Sequence, residues 1–320
     1  VDEFSNEIND GLNQEPFTPG EYPAKPELEE KTSNSWVRSA FSLLIYMVLF
    51  YVLFDQNIAY IAAITVVVII HEMGHLLAMK IFNYSNVKIF FIPLIGAFTS
   101  GKKQEVSQKQ LSIIILAGPL PGLIIACVLY YFNKDVHSDT IKMLANCFLF
   151  INLFNLLPIY PLDGGRIIET LFFKQNYYIR LVFGVISIIL LAVIFSTAST
   201  IMIIVPIMMG IELFNESKNQ KIRNILKSEN INYHQEYNTL TNKEYWLIRD
   251  CILFAYPKKF AGLQPGVYQY TIIEPLIIQQ VNTILQINMF NDLNVFKKIL
   301  FLLLYLASFI VPLVLFGLHI

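Results

Sequence analysis

The chain has 320 residues, of which 55% are hydrophobic and 15% charged, with a formal net charge of −1. An average soluble domain carries about 25% charged residues, and no water-soluble fold of this length hides so much apolar surface. The near-neutral charge also excludes a global electrostatic footprint for DNA or RNA, which leaves a polytopic helical protein embedded in a lipid bilayer.

Residues 1–35 come first. They hold nine acids against two bases, Lys25 and Lys31, and four prolines. This composition reads as an acidic, disordered tail, with docking as the weaker alternative. Residues 36–54 are an apolar run long enough for a first crossing, and 36–57 form that helix and a turn. A second apolar run covers 58–82, interrupted by His71, Glu72, His75 and Lys80.

The stretch Val87–Phe98 is apolar, rich in β-formers and broken by Pro93 and Gly96. It is too short to span as a helix, so it reads as a re-entrant hairpin or, equally, an interfacial loop. Phe91, Ile92 and Gly96 are its candidate contacts to an extended substrate, by strand addition. Further apolar runs follow at 109–132 and 141–157.

Residues 181–211 contain no charge over 31 positions. A single helix of that length runs about 46 Å, well past the roughly 30 Å hydrocarbon core. The Ser196–Thr200 stretch offers a turn between two spans. With two spans, 21 of the 23 Lys and Arg fall on one side; with one span the split becomes 11 against 12. The positive-inside rule therefore favours two. The expected fold is all-α and polytopic, with about seven transmembrane helices. Its N-terminus and residues 215–295 lie on the cytoplasmic side. Residues 216–295 read as a small helical cytosolic domain, and 296–320 as a C-terminal transmembrane helix.

His71-Glu72-Met73-Gly74-His75 is an H-E-x-x-H motif. Positions four apart share a helix face, so both imidazoles can ligate one Zn²⁺, with Glu72 beside them to move a proton. Ionisable groups inside a membrane helix are costly unless paired or metal-bound. A polar cluster joining helices is the plain alternative. A catalytic zinc normally takes a third protein ligand. The lone histidines His137, His234 and His319 are poorly placed for it.

Asp163 is the better candidate. It follows Pro158 and Pro161, which end a helix, and precedes Gly164 and Gly165, which allow a sharp turn. Asn152 and Asn155 are three apart on that helix and share a face. Each could bond the substrate backbone or a developing oxyanion, or join helices.

The two motifs together, His71-Glu72-x-x-His75 and Asn155-Leu-Leu-Pro158-x-x-Pro161-Leu162-Asp163-Gly164-Gly165-Arg166, resemble the site-2 protease family of intramembrane zinc metalloproteases. The resemblance covers about 58–215, the expected metalloprotease core. It implies His71, His75 and Asp163 as ligands of one Zn²⁺ per chain and Glu72 as catalytic acid/base. The substrates it implies are single-span membrane regulators; clearance of signal-peptide remnants is a different role for the same chemistry. The family often has Ala-Gly-Pro-x-x-Asn between the two motifs. Here the stretch is Ala117-Gly118-Pro119-Leu120-Pro121-Gly122, with glycine in place of the asparagine. Two other classes compete: an intramembrane metal transporter, which has no use for Glu72, and a catalytically silent scaffold. The Asn, Ile, Lys, Tyr and Phe bias hints at a bacterial source, hence the plasma membrane.

Overall fold

The computed structural model describes residues 22–27, 35–53, 58–92, 96–103, 105–173, 176–198, 200–286 and 288–317. The chain divides into two compact units. One comprises Val1–Lys31 with Ile211–Asn288; the other comprises Thr32–Gly210 with Met289–Ile320.

The second, apolar unit begins with α1 (Ser35–Leu53) and α2 (Ile58–Ile81). Strands β1 (Ser85–Ile92) and β2 (Gly96–Lys102) follow, and then β3 (Glu105–Ser107). Next come α3 (Gln108–Ala117), α4 (Pro119–Val136), α5 (Asp139–Asn155) and the short α6 (Asp163–Ile168). α7 (Tyr177–Ala198) is followed by a 3-10 turn (Thr200–Ile203) and α8 (Ile204–Ser228). Four stretches are long and apolar enough to cross a membrane among the described residues: 58–81, 108–136, 177–197 and 295–316.

The break expected near 196–200 is present between α7 and the 3-10 turn. α8, however, runs into charge at Glu212, so the uncharged stretch after the break ends at Ile211. A helical segment over 200–211 reaches only about 20 Å.

α2, α4 and α5 approach closely because small side chains line the contact. Ala63, Val67, Ala126, Ala145, Cys147 and Phe148 form one buried cluster. Small residues let helix backbones approach and gain dispersion contacts that lipid tails do not supply. A neighbouring cluster joins Leu116, Leu123, Leu156, Ile167 and Tyr305, whose hydroxyl donates to Leu156 O at 2.7 Å. All three cysteines are free thiols.

The Val87–Phe98 stretch is an antiparallel hairpin. Ile89 pairs with Thr99, Phe90 with Phe98, Phe91 with Ala97 and Ile92 with Gly96. α1 supplies hydroxyls to β1: Ser39 Oγ donates to Ile89 O at 2.5 Å, and Phe91 N donates to Ser42 Oγ at 3.2 Å.

The other unit is built on the polar part of α8, on α9 (Asn242–Ala255) and on α10 (Glu274–Ile284). α9 opens with a capping box: Thr241 Oγ1 accepts from Glu244 N, and the Glu244 carboxylate accepts from Thr241 N. Ile222, Leu226, Trp246, Ile248, Ile252, Ile277 and Val281 fill its core. An Arg249–Glu274 pair at 3.1 Å is buried beside it, and Tyr245 Oη also donates to Glu274. Residues 22–27, within the stretch expected to be a solvated tail, lie against this unit, with Tyr22 packed on its core. The rest of that expectation falls largely outside the described residues. After the last short strand, β4 (Asn288–Phe290), the chain ends in α11 (Val295–Gly317), which belongs to the apolar unit.

Candidate metal centre

α2 presents His71 and His75 one turn apart, and both are buried. Each ring is held from behind. His75 Nδ1 lies 2.8 Å from Ile114 O, in the last turn of α3, where carbonyls lack a full set of helical partners. His71 Nδ1 lies 2.9 Å from Asn152 Oδ1 on α5. The amide is itself oriented, because Asn152 Nδ2 donates to Phe148 O at 2.7 Å. Both acceptors therefore draw the ring proton to Nδ1, which leaves each Nε2 as a bare lone pair.

The two Nε2 atoms lie 3.2 Å apart. Asp163 Oδ2 completes the triangle, 3.0 Å from His71 Nε2 and 3.2 Å from His75 Nε2. Among the described residues these three side chains form the one cluster of histidine, cysteine and carboxylate donors placed to hold a metal ion. Asp163 Oδ2 is also one of three buried side-chain atoms there with no hydrogen-bond partner. Three electron-pair donors facing one another without a shared proton repel unless a cation lies among them. Tetrahedral zinc with ligands at about 2.0–2.1 Å has donor–donor edges of about 3.3 Å, close to the edges found here. Two imidazoles and a carboxylate also suit Zn²⁺ chemically.

The local backbone explains how Asp163 arrives. Pro158 and Pro161 stop α5 and give a loop with a cis Tyr160–Pro161 bond. Gly164 and Gly165 then pack directly on that loop. A Cβ on Gly164 would lie 2.0 Å from Leu156 O, and one on Gly165 2.3 Å from the Ile159 carbonyl carbon. Only glycine lets α6 start this close, with Asp163 at its first turn aimed at α2. Arg166 Nη1 lies 3.7 Å from the other oxygen, Oδ1.

The Ala117–Gly122 stretch serves the same cluster by omission of side chains. A Cβ on Gly74 would meet Ala117 O at 1.9 Å, and one on Gly118 would meet His75 Nε2 at 2.3 Å. Gly122 leaves the space that Asn152 fills, since a Cβ there would lie 2.2 Å from Asn152 Nδ2. The amide comes from α5 where the pattern between the motifs has no asparagine.

Glu72 is buried beside this cluster, and its carboxylate Oε2 accepts from Thr99 Oγ1 at 2.7 Å. Thr99 lies on β2, so the hairpin reaches the motif directly. Sequence reasoning missed Thr99, and no local signal marks it. Of the expected substrate contacts, Asn152 is fully buried, and both amide atoms are committed, to His71 and to Phe148. The tight α4–α5 approach at Gly122 is the reason. Asn155 is half-buried, and its Nδ2 donates to Ile151 O at 3.0 Å. Phe91 is buried against the Tyr46 ring at 6.1 Å. Ile92 and Gly96 pair where the two strands of the hairpin are joined, at the end opposite the Ser85–Lys102 pair.

Residues 59–138 match the sequence pattern of Peptidase family M50. The chain is 31% identical over 111 residues to stage IV sporulation protein FB of Bacillus subtilis, covering 34% of this chain and 38% of that one. It is also 31% identical over 119 residues to a zinc metalloprotease of Methanocaldococcus jannaschii, covering 35% of this chain and 34% of the relative. The chain thus spans little more than a third of the length of these relatives. A solved site-2 protease from Methanocaldococcus jannaschii aligns at 23% identity with a TM-score of 0.41, over 56% of this chain and 88% of that one. The M50 match contains His71, Glu72 and His75 but ends before Asp163, which the fold alone brings to the same point.

Proposed function

We propose that the chain is an intramembrane zinc metalloprotease that hydrolyses peptide bonds within the membrane segments of single-span proteins. The observation that carries this reading is the convergence of His71 Nε2, His75 Nε2 and the otherwise unbonded Asp163 Oδ2, with the Glu72 carboxylate held beside them. His71, His75 and Asp163 would hold the Zn²⁺, which would supply Lewis acidity and make a nucleophilic water available near neutral pH.

The chain's own residues do the rest. Glu72 accepts the proton of the attacking water and returns it to the leaving amine, with Thr99 holding its carboxylate in place. Asn152 holds His71 and is a positioning residue. Asn155 has a second amide hydrogen beyond the one given to Ile151, and offers it to the oxyanion or to the substrate backbone.

The substrate must be locally extended, because a helix keeps its carbonyls in its own hydrogen bonds. The hairpin provides the edge for strand addition. α1 hydroxyls already engage β1 at Ile89 and Phe91, so β2, from Gly96 onward, is the edge that takes the substrate.

Seven crossings, with the N-terminus and residues 215–295 cytoplasmic, rest on the charge count; the short 200–211 crossing then requires local bilayer thinning. The hairpin is re-entrant in this topology. Residues 58–215 are the proteolytic core, and the setting is a bacterial plasma membrane. Single-span regulators are the proposed substrates, ahead of signal-peptide remnants.

The test is cleavage of a tagged single-span substrate in membranes, wild type against Glu72→Gln. The wild type cuts and the variant does not. Equal cleavage by both would reject proteolysis at this site.

A further inference from the structure

The unit formed by Val1–Lys31 and Ile211–Asn288 holds a piece of its own chain as a peptide. Tyr22-Pro23-Ala24-Lys25-Pro26-Glu27 is neither helix nor strand. Pro23 and Pro26 fix their own φ and push Tyr22 and Lys25 toward extended backbone. An extended segment of this kind satisfies none of its own carbonyls, so donors must come from outside.

They come from a row of aromatic side chains. Trp246 Nε1 donates to Pro23 O at 2.8 Å, Tyr270 Oη donates to Ala24 O, and Tyr237 Oη donates to Pro26 O at 2.7 Å. The Lys25 N–H donates to Asn242 Oδ1 at 3.0 Å. The Tyr22 ring packs on Tyr268 at 5.2 Å.

One side chain of the segment is read specifically. Lys25 Nζ donates to the carbonyls of Tyr237, Asn238 and Leu240 at 2.8, 2.8 and 2.6 Å, and stands 5.3 Å from the Tyr237 ring centroid. An ammonium has three donors, and all three are used. By contrast Pro23, Ala24 and Glu27 are exposed. The aromatic wall is braced from behind: Tyr245 packs edge-on against Tyr237 at 5.8 Å and Trp246 at 5.2 Å, within the unit's own core. The wall is therefore anchored by contacts that do not involve the segment.

We propose that this unit is a peptide-recognition module whose groove reads a Tyr-Pro-x-Lys-Pro sequence in extended form, with residues 22–27 as the reversible occupant supplied by the chain itself. Backbone carbonyls met by Trp and Tyr donors give affinity, and the carbonyl cage for the lysine gives specificity. Tethering makes the occupant hard to displace in the intact chain, through its high effective concentration. The proposal is independent of the metal centre and stands whether or not that centre is catalytic.

The test uses the full chain in detergent with Trp36→Phe, which leaves Trp246 as the sole indole reporter. Lys25→Glu should release the segment and red-shift Trp246 emission. A synthetic peptide of residues 20–29 should then reverse the shift saturably, while the same peptide carrying Lys25→Glu should bind at least about tenfold more weakly. An unshifted spectrum, or a shift that excess peptide does not reverse, would overturn the proposal. A second form covers misfolding of the variant. A protease site inserted between Glu30 and Lys31 is cut after the wild-type segment has folded into place. The released fragment should exchange with labelled peptide; a fragment that never exchanges is part of the core, and the proposal fails.

Discussion

Asn152 Oδ1 accepts the Nδ1–H of His71 at 2.9 Å, and this contact fixes which nitrogen of the imidazole faces Asp163. The amide cannot rotate freely, because its nitrogen is committed to Phe148 O and its flank fills the space beside Gly122. Partners behind a ligating histidine typically change metal affinity by about 10–100-fold. Asn152→Ala should therefore weaken zinc retention by that order in competition with a chromophoric chelator. Asn152→Asp keeps an acceptor and should retain more metal than Asn152→Ala. Equal retention by both variants and wild type would remove Asn152 from the site.

Gly118 and Gly210 make a matched pair of tests. A Cβ on Gly118 enters the space of the His75 ring, whereas one on Gly210 meets nothing within 4 Å. Gly118→Ala should destabilise by about 1–3 kcal/mol through overpacking, and displace His75 enough to lower metal content. Gly210→Ala, in α8, should be neutral or stabilising by about 0.5–1 kcal/mol. Thermal midpoints and zinc content of the two purified variants check both statements.

Thr99 connects the hairpin to the chemistry. Losing its hydroxyl leaves the Glu72 carboxylate without that donor while the three metal ligands are untouched. Thr99→Val should lower kcat/KM for a membrane substrate by about tenfold or more with zinc content unchanged, and Thr99→Ser should restore most of it. Loss of zinc in Thr99→Val would show that the hydroxyl acts on the ligand set instead.

The metal-ligand motif is legible in the sequence because a helix converts the spacing of His71 and His75 directly into a shared face. Asp163 is legible for a different reason: two prolines and two glycines around an acid announce a tight turn at a helix end. Thr99 and the groove for residues 22–27 were not legible. Lys25 and Tyr237 are 212 positions apart, and neither residue carries a local signal that it meets the other. Asn152 was visible as a costly polar residue in an apolar helix, but only the packing at Gly122 decides that it faces a histidine and not a substrate. The break after α7 was legible from the Ser196–Thr200 stretch, but not that a 3-10 turn over Thr200–Ile203 follows it.

Asp250, in the unit that contains Ile211–Asn288, offers a pH-dependent readout. Burial pushes its pKa from an ordinary 3.8 up to about 6, against the pull of the Gly266 N–H and the Arg249 charge. A carboxyl whose folded pKa lies above its unfolded one binds its proton more tightly when folded. Its contribution to stability is complete below the unfolded pKa and is lost as pH rises through about 6. Trp246 fluorescence in the Trp36→Phe chain should report a higher unfolding midpoint at pH 5 than at pH 7.5 from this group. Asp250→Asn should remove up to about 1.4 kcal/mol of the difference between these two pH values. An unchanged pH profile in the variant would contradict the assignment.

The most direct test of the whole reading is zinc content measured beside cleavage in three purified chains: wild type, Glu72→Gln and Asp163→Ala. The expected result is one zinc and cleavage in the wild type, one zinc without cleavage in Glu72→Gln, and neither in Asp163→Ala. A Glu72→Gln chain that still cuts, or an Asp163→Ala chain that keeps its zinc and its activity, would contradict it.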